Sequence, residues 1–285
     1  MDRRKFVKQT ALAATSLAFL PSCTNMSSSK LSDKVGVQLY TVRDLMKEDP
    51  IGTLEKISKI GYTQIEAASF VDGKSYGFTG KELKKIVGDL GLDLVSGHVS
   101  TNVFEESFDT ALDFVADAGQ EYIVMPYLQA EQRMTIDQYK GHAETLNRCG
   151  EKAKKANVSV CYHNHDFEFQ TLEGQIPMDV LMSETDPEFV KMELDLYWVV
   201  KAGFDPIQYF DKHEGRIPLW HVKDMANTEE RGFADVGSGT IDFKEIFDKL
   251  DVSGMKHFFV ERDRSDDPMK TLENSFKNLS TKILS

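Results

Sequence analysis

Cysteine is scarce in this chain of 285 residues: Cys23, Cys149 and Cys161 are the three present. Cys149 falls on a predicted helix and Cys161 in a predicted strand, and both read as small buried hydrophobes. That argues against a disulfide framework. The same shortage excludes a thiolate metal site. Positive charge is also short, with 34 Lys and Arg against 46 Asp and Glu and a formal net charge of −12. Such a surface repels phosphate backbones, so nucleic-acid binding through a broad basic face is not expected. No glycine-rich phosphate loop follows the first predicted strand, where Gln38-Leu39-Tyr40-Thr41 stands instead. This counts against an open doubly wound sheet. Gly237 to Thr240 resembles a phosphate cradle, yet no Lys or Arg occurs from Asp235 to Phe243. Thr240 or Asp242 capping the following helix explains the stretch better, and a phosphate requirement is not expected.

The first thirty residues differ from the rest. Arg3-Arg4-Lys5-Phe6-Val7-Lys8 precedes an uncharged, mostly apolar run from Thr10 to Leu20, then Leu20-Pro21-Ser22-Cys23. Eleven residues are too few to span a bilayer as a helix. The order resembles an export signal of the twin-arginine type joined to a bacterial lipoprotein cleavage site. The resemblance implies a signal peptide over 1–22, a lipidated Cys23 with a flexible tether over 23–33, and a periplasmic protein anchored to a membrane by lipid. A disordered amphipathic N-terminus is the bland alternative. Segment 1–23 carries Arg3, Arg4, Lys5 and Lys8 against Asp2, a net +3, so the remainder carries −15.

From residue 34 to 285 no linker interrupts the chain, and about 250 residues is the usual size of one barrel domain. Apolar strand candidates begin near Val35, Tyr62, Leu92, Tyr122, Val158, Val190, Ile217 and His257. Between them run helical patterns: Ile51, Leu54 and Ile57 before Gly61; Leu83, Ile86, Val87 and Leu90 before Gly91; Phe108, Leu112 and Val115 before Gly119. Apolar residues recur there at helical spacing, with glycine near the C-cap. Thr79 and Glu82 form a capping box. Further helices run through Ile136, Tyr139, Leu146 and Cys149, through Phe243, Ile246, Phe247 and Leu250, and through Leu272, Phe276, Leu279 and Ile283. Eight strand-helix alternations predict an α/β fold, a single-domain (β/α)8 TIM barrel.

Four polar clusters end successive apolar strands: Tyr162-His163-Asn164-His165, Glu193-Leu194-Asp195, Trp220-His221-Val222-Lys223-Asp224 and Val260-Glu261-Arg262-Asp263. Alternate residues of a barrel strand point inward, so Asp195 shares its face with Glu193, His221 with Leu219 and Lys223, and Glu261 with Phe259. On the fifth strand Ser159, Cys161 and His163 face inward, with His165 following. Imidazoles and carboxylates converging at one mouth suit a divalent Mn, Mg, Co or Zn ion. One histidine at a strand end is more often structural than ligating; four clusters at consecutive ends reverse that expectation.

The most specific pieces, Glu193-Leu194-Asp195-Leu196-Tyr197-Trp198, His221-Val222-Lys223-Asp224, Gly237-Ser238-Gly239-Thr240-Ile241-Asp242-Phe243 and Val260-Glu261, resemble the xylose isomerase-like barrel superfamily of sugar phosphate isomerases and epimerases. That superfamily also contains inosose dehydratases and endonuclease IV. The resemblance covers roughly Val35 to Leu284. It implies one divalent metal chelated by the hydroxyl and carbonyl oxygens of a sugar, with Asp195, His221 and Glu261 as ligands and Glu261 also catalytic. The fifth strand departs from the epimerase pattern, which has a glutamate there. Aligning His163-Asn164 with the family's glutamate-proline pair makes His163 the fourth ligand, with His165 a rival. A metal-bound imidazole cannot exchange a carbon-bound proton as a carboxylate does, so another base is needed.

Lys223 is the first candidate for that base, since a lysine beside a dication can lose its proton near neutral pH. The structural alternative is a salt bridge to Asp224 or Glu261. Glu168 and Glu66 are further candidates, and Glu66, at the end of the second strand in Gln64-Ile65-Glu66, is also a candidate contact for substrate. His98 and His165 are candidates for hydrogen bonds to substrate hydroxyls, and Trp198 and Tyr40 for flat faces against a sugar ring. The leading expectation is therefore a metal-dependent isomerase or epimerase acting on a ketose or keto-sugar through an enediolate. Loss of a β-substituent, as in a lyase or dehydratase acting on a keto-sugar, keto-glycoside or inosose, is the alternative. An endonuclease IV-like phosphodiesterase and a non-catalytic sugar-binding lipoprotein rank below these. The expected partners are a small-molecule sugar and a lipid anchor; homo-oligomerisation stays open.

Overall fold

A computed structural model describes residues 31–285. The expected export signal and the lipidated Cys23 lie outside the described residues. Leu31 is already buried, and Thr63 Oγ1 donates to the Asp33 carbonyl at 2.9 Å. The barrel packing thus begins slightly ahead of the expected boundary at residue 34.

Eight parallel strands close into a barrel in the order β1-β8-β7-β6-β5-β4-β3-β2. They are β1 (Gly36–Gln38), β2 (Gln64–Ala67), β3 (Asp93–His98), β4 (Tyr122–Met125), β5 (Ser159–His163), β6 (Val190–Asp195), β7 (Leu219–Val222) and β8 (His257–Val260). Because both faces of each strand are covered, the strands read as short apolar runs. Val95, Tyr122, Val124, Cys161, Leu219 and Phe259 fill the barrel interior. Their strand partners on the opposite face, among them Ile123, Val160, Trp220 and Phe258, pack against the surrounding helices. Cys149 and Cys161 are both free and buried.

The main helices are α1 (Pro50–Ile60), α2 (Gly80–Asp89), α3 (Phe108–Ala118), α4 (Ile136–Lys154), α5 (Pro177–Glu184), α6 (Pro206–Lys212), α7 (Phe243–Phe247) and α8 (Pro268–Asn278). Thr79 and Glu82 form the expected capping box at the start of α2. Gly61 ends α1 at φ +118°, and a Cβ there would meet the Phe276 ring at 2.6 Å, so both backbone and space demand glycine. Two expected helices are broken. The pattern through Phe243 to Leu250 splits into α7 and a short Leu250–Ser253 turn, and the last pattern passes from α8 into a π turn over Leu279–Ile283. Helices α5 and α6 carry few periodic positions and are legible mainly through Pro177 and Pro206 at their starts. Between α6 and β7 the outer core is aromatic, Phe210 stacking on Trp220 at 4.8 Å with Phe247 at 5.5 Å.

Strand register sets the site. His163 pairs with Glu193, and Asp195 with His221. A register irregularity between Ile65 and Glu66 precedes the pairing of Glu66 with Ser96. Just past β7, a two-stranded antiparallel ribbon joins Asp224–Met225 to Phe233–Ala234.

Candidate metal centre and active site

The carboxyl ends of the strands deliver one buried polar cluster. Gln38 Nε2 and Ser96 Oγ donate to the Glu66 carboxylate, the first at 2.7 Å. His98 Nε2 lies 2.8 Å from Glu193 Oε2 and 3.4 Å from Glu66 Oε2. His163 Nδ1 lies 3.1 Å from Glu193 Oε2, which turns its Nε2 toward Asp195 Oδ2 at 3.9 Å. His221 Nε2 lies 2.7 Å from Glu66 and 3.2 Å from Glu193, which leaves its Nδ1 2.7 Å from Glu261 Oε2 and 3.9 Å from Asp195 Oδ2. In His163 one nitrogen is held by a supporting carboxylate and the other is turned toward Asp195, whereas in His221 Glu66 holds one nitrogen and Glu261, with Asp195 farther off, meets the other. Metal-binding histidines are oriented in this way.

Two overlapping groups of donors have the compactness a cation needs: Asp195, His221 and Glu261, and His98, His163, Glu193 and His221, the atoms of each lying within 4.8 Å of one another. Asp195 Oδ2 is buried against Lys223 Nζ at 2.8 Å, whereas Glu193 Oε1 is buried without a hydrogen-bond partner. A compact set of imidazole nitrogens and carboxylate oxygens, with Glu193 Oε1 left unpaired among them, fits a divalent ion. His163, Asp195, His221 and Glu261 would hold it, and Glu193 and Glu66 would orient the rings.

Burial opposes charge on Glu66, but His98 and His221 hold its carboxyl well below the usual range. Burial likewise works against charge on His98, yet Glu66 and Glu193 raise it to about 9. His163 is kept neutral by burial and by the neighbouring His221 and His165. Burial pushes Asp195 up to about 6, against the pull of Lys223 and His221. Glu261 stays well below the usual range despite burial, because Lys223 and His221 face it.

Several expectations change. Lys223 is not placed as a free base: its ammonium sits 2.8 Å from Asp195 and Glu261 and 2.6 Å from Asp263. Burial opposes that charge, but the three carboxylates hold Lys223 protonated, well above the ordinary lysine range. Asp224 is not its partner. That carboxylate accepts from the backbone N–H groups of Gly237, Gly239 and Ile241 at 2.9, 2.8 and 3.2 Å, so the loop that looked like a phosphate cradle is filled by the protein's own anion. Asp242 is the cap of α7, accepting from Glu245 N, whereas Thr240 donates to the Met225 carbonyl.

Glu168 lies behind the barrel wall rather than in the site. It accepts from Tyr162 Oη at 2.5 Å and from His165 N at 2.8 Å, and burial raises its carboxyl to about 7. Glu66 is enclosed beneath His221 and does not reach the mouth, so it serves neither as a base nor as a contact for substrate. His163, not His165, faces Asp195. The His165 ring instead stacks on Phe167 at 5.4 Å and meets Trp198 at 5.4 Å.

A cleft of about 610 Å³ opens above the cluster, lined by His98, His163, His165, Lys223, Glu261 and Asp263, with Tyr40 and Tyr127 at its edge. Trp198 lines an adjoining cleft. Sequence reasoning gave no role to Glu193 or Asp263. The signal was present in the alternation, since Glu193 precedes Asp195, and Asp263 follows Glu261, by two residues.

A closed parallel barrel with histidines and carboxylates gathered at the carboxyl ends of its strands defines a TIM barrel with its candidate site where barrel enzymes carry theirs. Residues 54–281 match the family described as the xylose isomerase-like TIM barrel, and the chain belongs to that family. It is similar to the inosose dehydratase of Geobacillus thermodenitrificans, with 29% identity over 238 residues that cover 70% of this chain and 79% of that protein. A sugar phosphate isomerase/epimerase structure from Parabacteroides distasonis superposes with a TM-score of 0.78 at 27% identity, covering 93% of this chain and 100% of that one. The fold also matches the IOLI protein, solved with a bound zinc atom, at a TM-score of 0.70 and 16% identity over 88% of this chain and 99% of that one. The dehydratase relative favours the elimination alternative over the isomerase or epimerase expectation.

Proposed function

We propose that this protein is a metal-assisted dehydratase that removes water from a ring polyol bearing one ketone, a substrate of the inosose type. The observation that carries the reading is the pairing of Lys223 with Asp263 at 2.6 Å beside Glu261, together with the neutral His163 where an epimerase of this family has a glutamate. A two-carboxylate shuttle across a sugar ring therefore lacks one arm. An elimination needs a base at one carbon and an acid at its neighbour. Two carboxylates line the cleft; Glu261 is bound to His221, while Asp263 contacts Lys223. Asp263 takes the proton from the carbon beside the ketone. Lys223, held as an ammonium, gives a proton to the departing hydroxyl, which leaves as water. Direct contact between the two groups then returns the proton from Asp263 to Lys223. A bound divalent ion would supply Lewis-acid polarisation of the ketone, and the nitrogen and oxygen donors suit Mn, Mg, Co or Zn. The similarity to inosose dehydratase supports this reading, and the 27% identical isomerase/epimerase structure supports a second, epimerisation without loss of water.

The test is incubation of the metal-loaded protein with inososes and ketoses in D₂O, followed by NMR. Loss of water with a new conjugated C=C bond is expected for an inosose. Deuterium incorporation with inversion and no loss of water would replace this reading by the second.

A further inference from the structure

The space above Glu261 does not end at one ring. A second cleft of about 760 Å³ opens beside the first, and Tyr40, Tyr127, His165 and Asp263 line both. Clefts of roughly 300–1,000 Å³ hold whole drug-sized ligands. Either space alone is therefore ample for a six-membered polyol, and the pair is more than such a substrate uses.

The second cleft is lined by aromatic and charged side chains together. Trp198, Phe233 and Phe167 form its wall, with Trp198 edge-on to Phe233 at 5.9 Å and Arg133 seated 3.4 Å over the Phe167 ring. Tyr40 and Tyr127 are 43% and 37% exposed, and the other large hydrophobics that project from the described residues, Ile51, Val71 and Met134, are aliphatic. The exposed aromatics are thus confined to the edge shared by the two clefts. Arg43 lies 4.4 Å over the Tyr40 ring and Arg133 5.7 Å from the Tyr127 ring, and exposed aromatic surface of this kind marks ligand-binding grooves. In the same wall, His165 Nδ1 and Trp198 Nε1 are buried without a hydrogen-bond partner, and buried polar atoms in folded proteins ordinarily have one. Partly exposed aromatics suit the C–H face of a sugar, and the Arg133, Lys201, Glu230 and Arg264 side chains of the same lining suit its hydroxyls.

We infer that the site also takes a substrate carrying a second pyranose ring, joined through oxygen to the carbon β to its ketone, and that this ring seats in the second cleft while the keto ring sits over Glu261. The inference rests on the elimination chemistry proposed above and changes only the leaving group. The C–H bond beside the ketone breaks, and its electrons form the ring C=C. The bond from the β-carbon to the bridging oxygen breaks with its electron pair on oxygen, and that oxygen takes a proton. The products are an enone and a free sugar, with no oxidant or reductant consumed. Binding of the non-reacting ring then supplies energy to the step.

The experiment compares a keto-disaccharide, the methyl glycoside of the same keto-sugar and an inosose on the metal-loaded full chain. The keto-disaccharide is expected to be eliminated with kcat/KM at least about tenfold above the methyl glycoside. That ratio is expected to fall toward one in Phe233→Ala, and also in Phe233→Leu should the smaller residue disturb folding. Equal values for the two glycosides, with elimination intact, overturn the second-ring inference and leave the dehydratase reading standing. A preference that survives both substitutions overturns the placement of the ring against Phe233. Epimerisation of all three substrates without elimination overturns the underlying reading, and the inference with it.

Discussion

Glu193 Oε2 lies 3.1 Å from Nδ1 of His163, and that contact decides which nitrogen of the ring faces Asp195. The same oxygen lies 2.8 Å from His98 and 3.2 Å from His221, so one buried carboxylate orients three imidazoles. Supporting partners of this kind typically change metal affinity about 10–100-fold when mutated. Glu193→Gln is therefore expected to weaken divalent-ion binding by about that factor while the fold persists. Titration in chelator-buffered Zn or Mn measures it, and unchanged affinity would remove Glu193 from the orienting role.

Asp195 differs in kind, because its Oδ2 is a proposed ligand atom rather than a support. An Asp195→Ala, His221→Ala double variant is expected to lose stoichiometric metal altogether. Elemental analysis after dialysis reports this directly, and retention of one ion per chain would place the metal elsewhere.

Glu168 offers a prediction in pH. Its carboxyl is raised from an ordinary 4.5 to about 7, first by burial and against the hydrogen bonds of Tyr162 and His165 N. Folding therefore favours the protonated acid. The stability this group contributes is fully present below about pH 4.5 and is lost as pH rises through about 7. By linkage the loss amounts to roughly 3 kcal/mol above that range. Glu168→Gln, which keeps a neutral amide in place, is expected to flatten the decline in thermal stability between these pH values and to raise Tm at pH 8. A pH profile identical to that of the wild type would show that the carboxyl is already ionised without cost.

How much of this was legible in the sequence follows from which contacts are local. The barrel could be read because each strand is a short apolar run and each well-formed helix repeats its apolar face, as in α1, α2 and α3. The ends of strands β5 to β8 carried His163, Asp195, His221 and Glu261 in plain view. The partners of Lys223 could not be read, since Asp195, Glu261 and Asp263 reach it from neighbouring strand ends whose distances are set by barrel closure. Glu168 misled for a similar reason. It stands five residues after His163, but the 3₁₀ turn Phe167–Phe169 carries it behind the wall to Tyr162, whose outward direction follows from strand alternation. The occupied Gly237–Ile241 loop shows the same limit, because Asp224 fills it from 13 to 17 residues away.

The aromatic packing outside β7 carries a stability prediction. Trp220 is fully buried between Phe210 and Phe247. Truncating a large aromatic in such a core costs about 3–5 kcal/mol through lost burial and the cavity left behind. Trp220→Ala is expected to lower stability by that amount in denaturant unfolding, whereas Trp220→Phe should cost less. A loss below about 1 kcal/mol for the alanine would mean that the site collapses to refill the space.

Lys223 brings stability and chemistry onto one atom, so its substitution separates them. Lys223→Met removes the only ammonium that contacts Asp195, Glu261 and Asp263 among the described residues. Removing one partner of a buried ion pair costs about 3–5 kcal/mol because the remaining charge is uncompensated. Metal-free Lys223→Met should therefore melt well below the wild type. Adding a divalent ion should restore much of the difference, since Asp195 and Glu261, two of the same carboxylates, would hold it. Turnover should behave otherwise: loss of a proton donor typically costs about 10²–10⁴-fold, and metal does not replace that proton. The expected signature is a metal-loaded variant with near-normal Tm and strongly reduced elimination. If metal restores both Tm and turnover, Lys223 is a counter-ion only, and the proton for the leaving group comes from another residue.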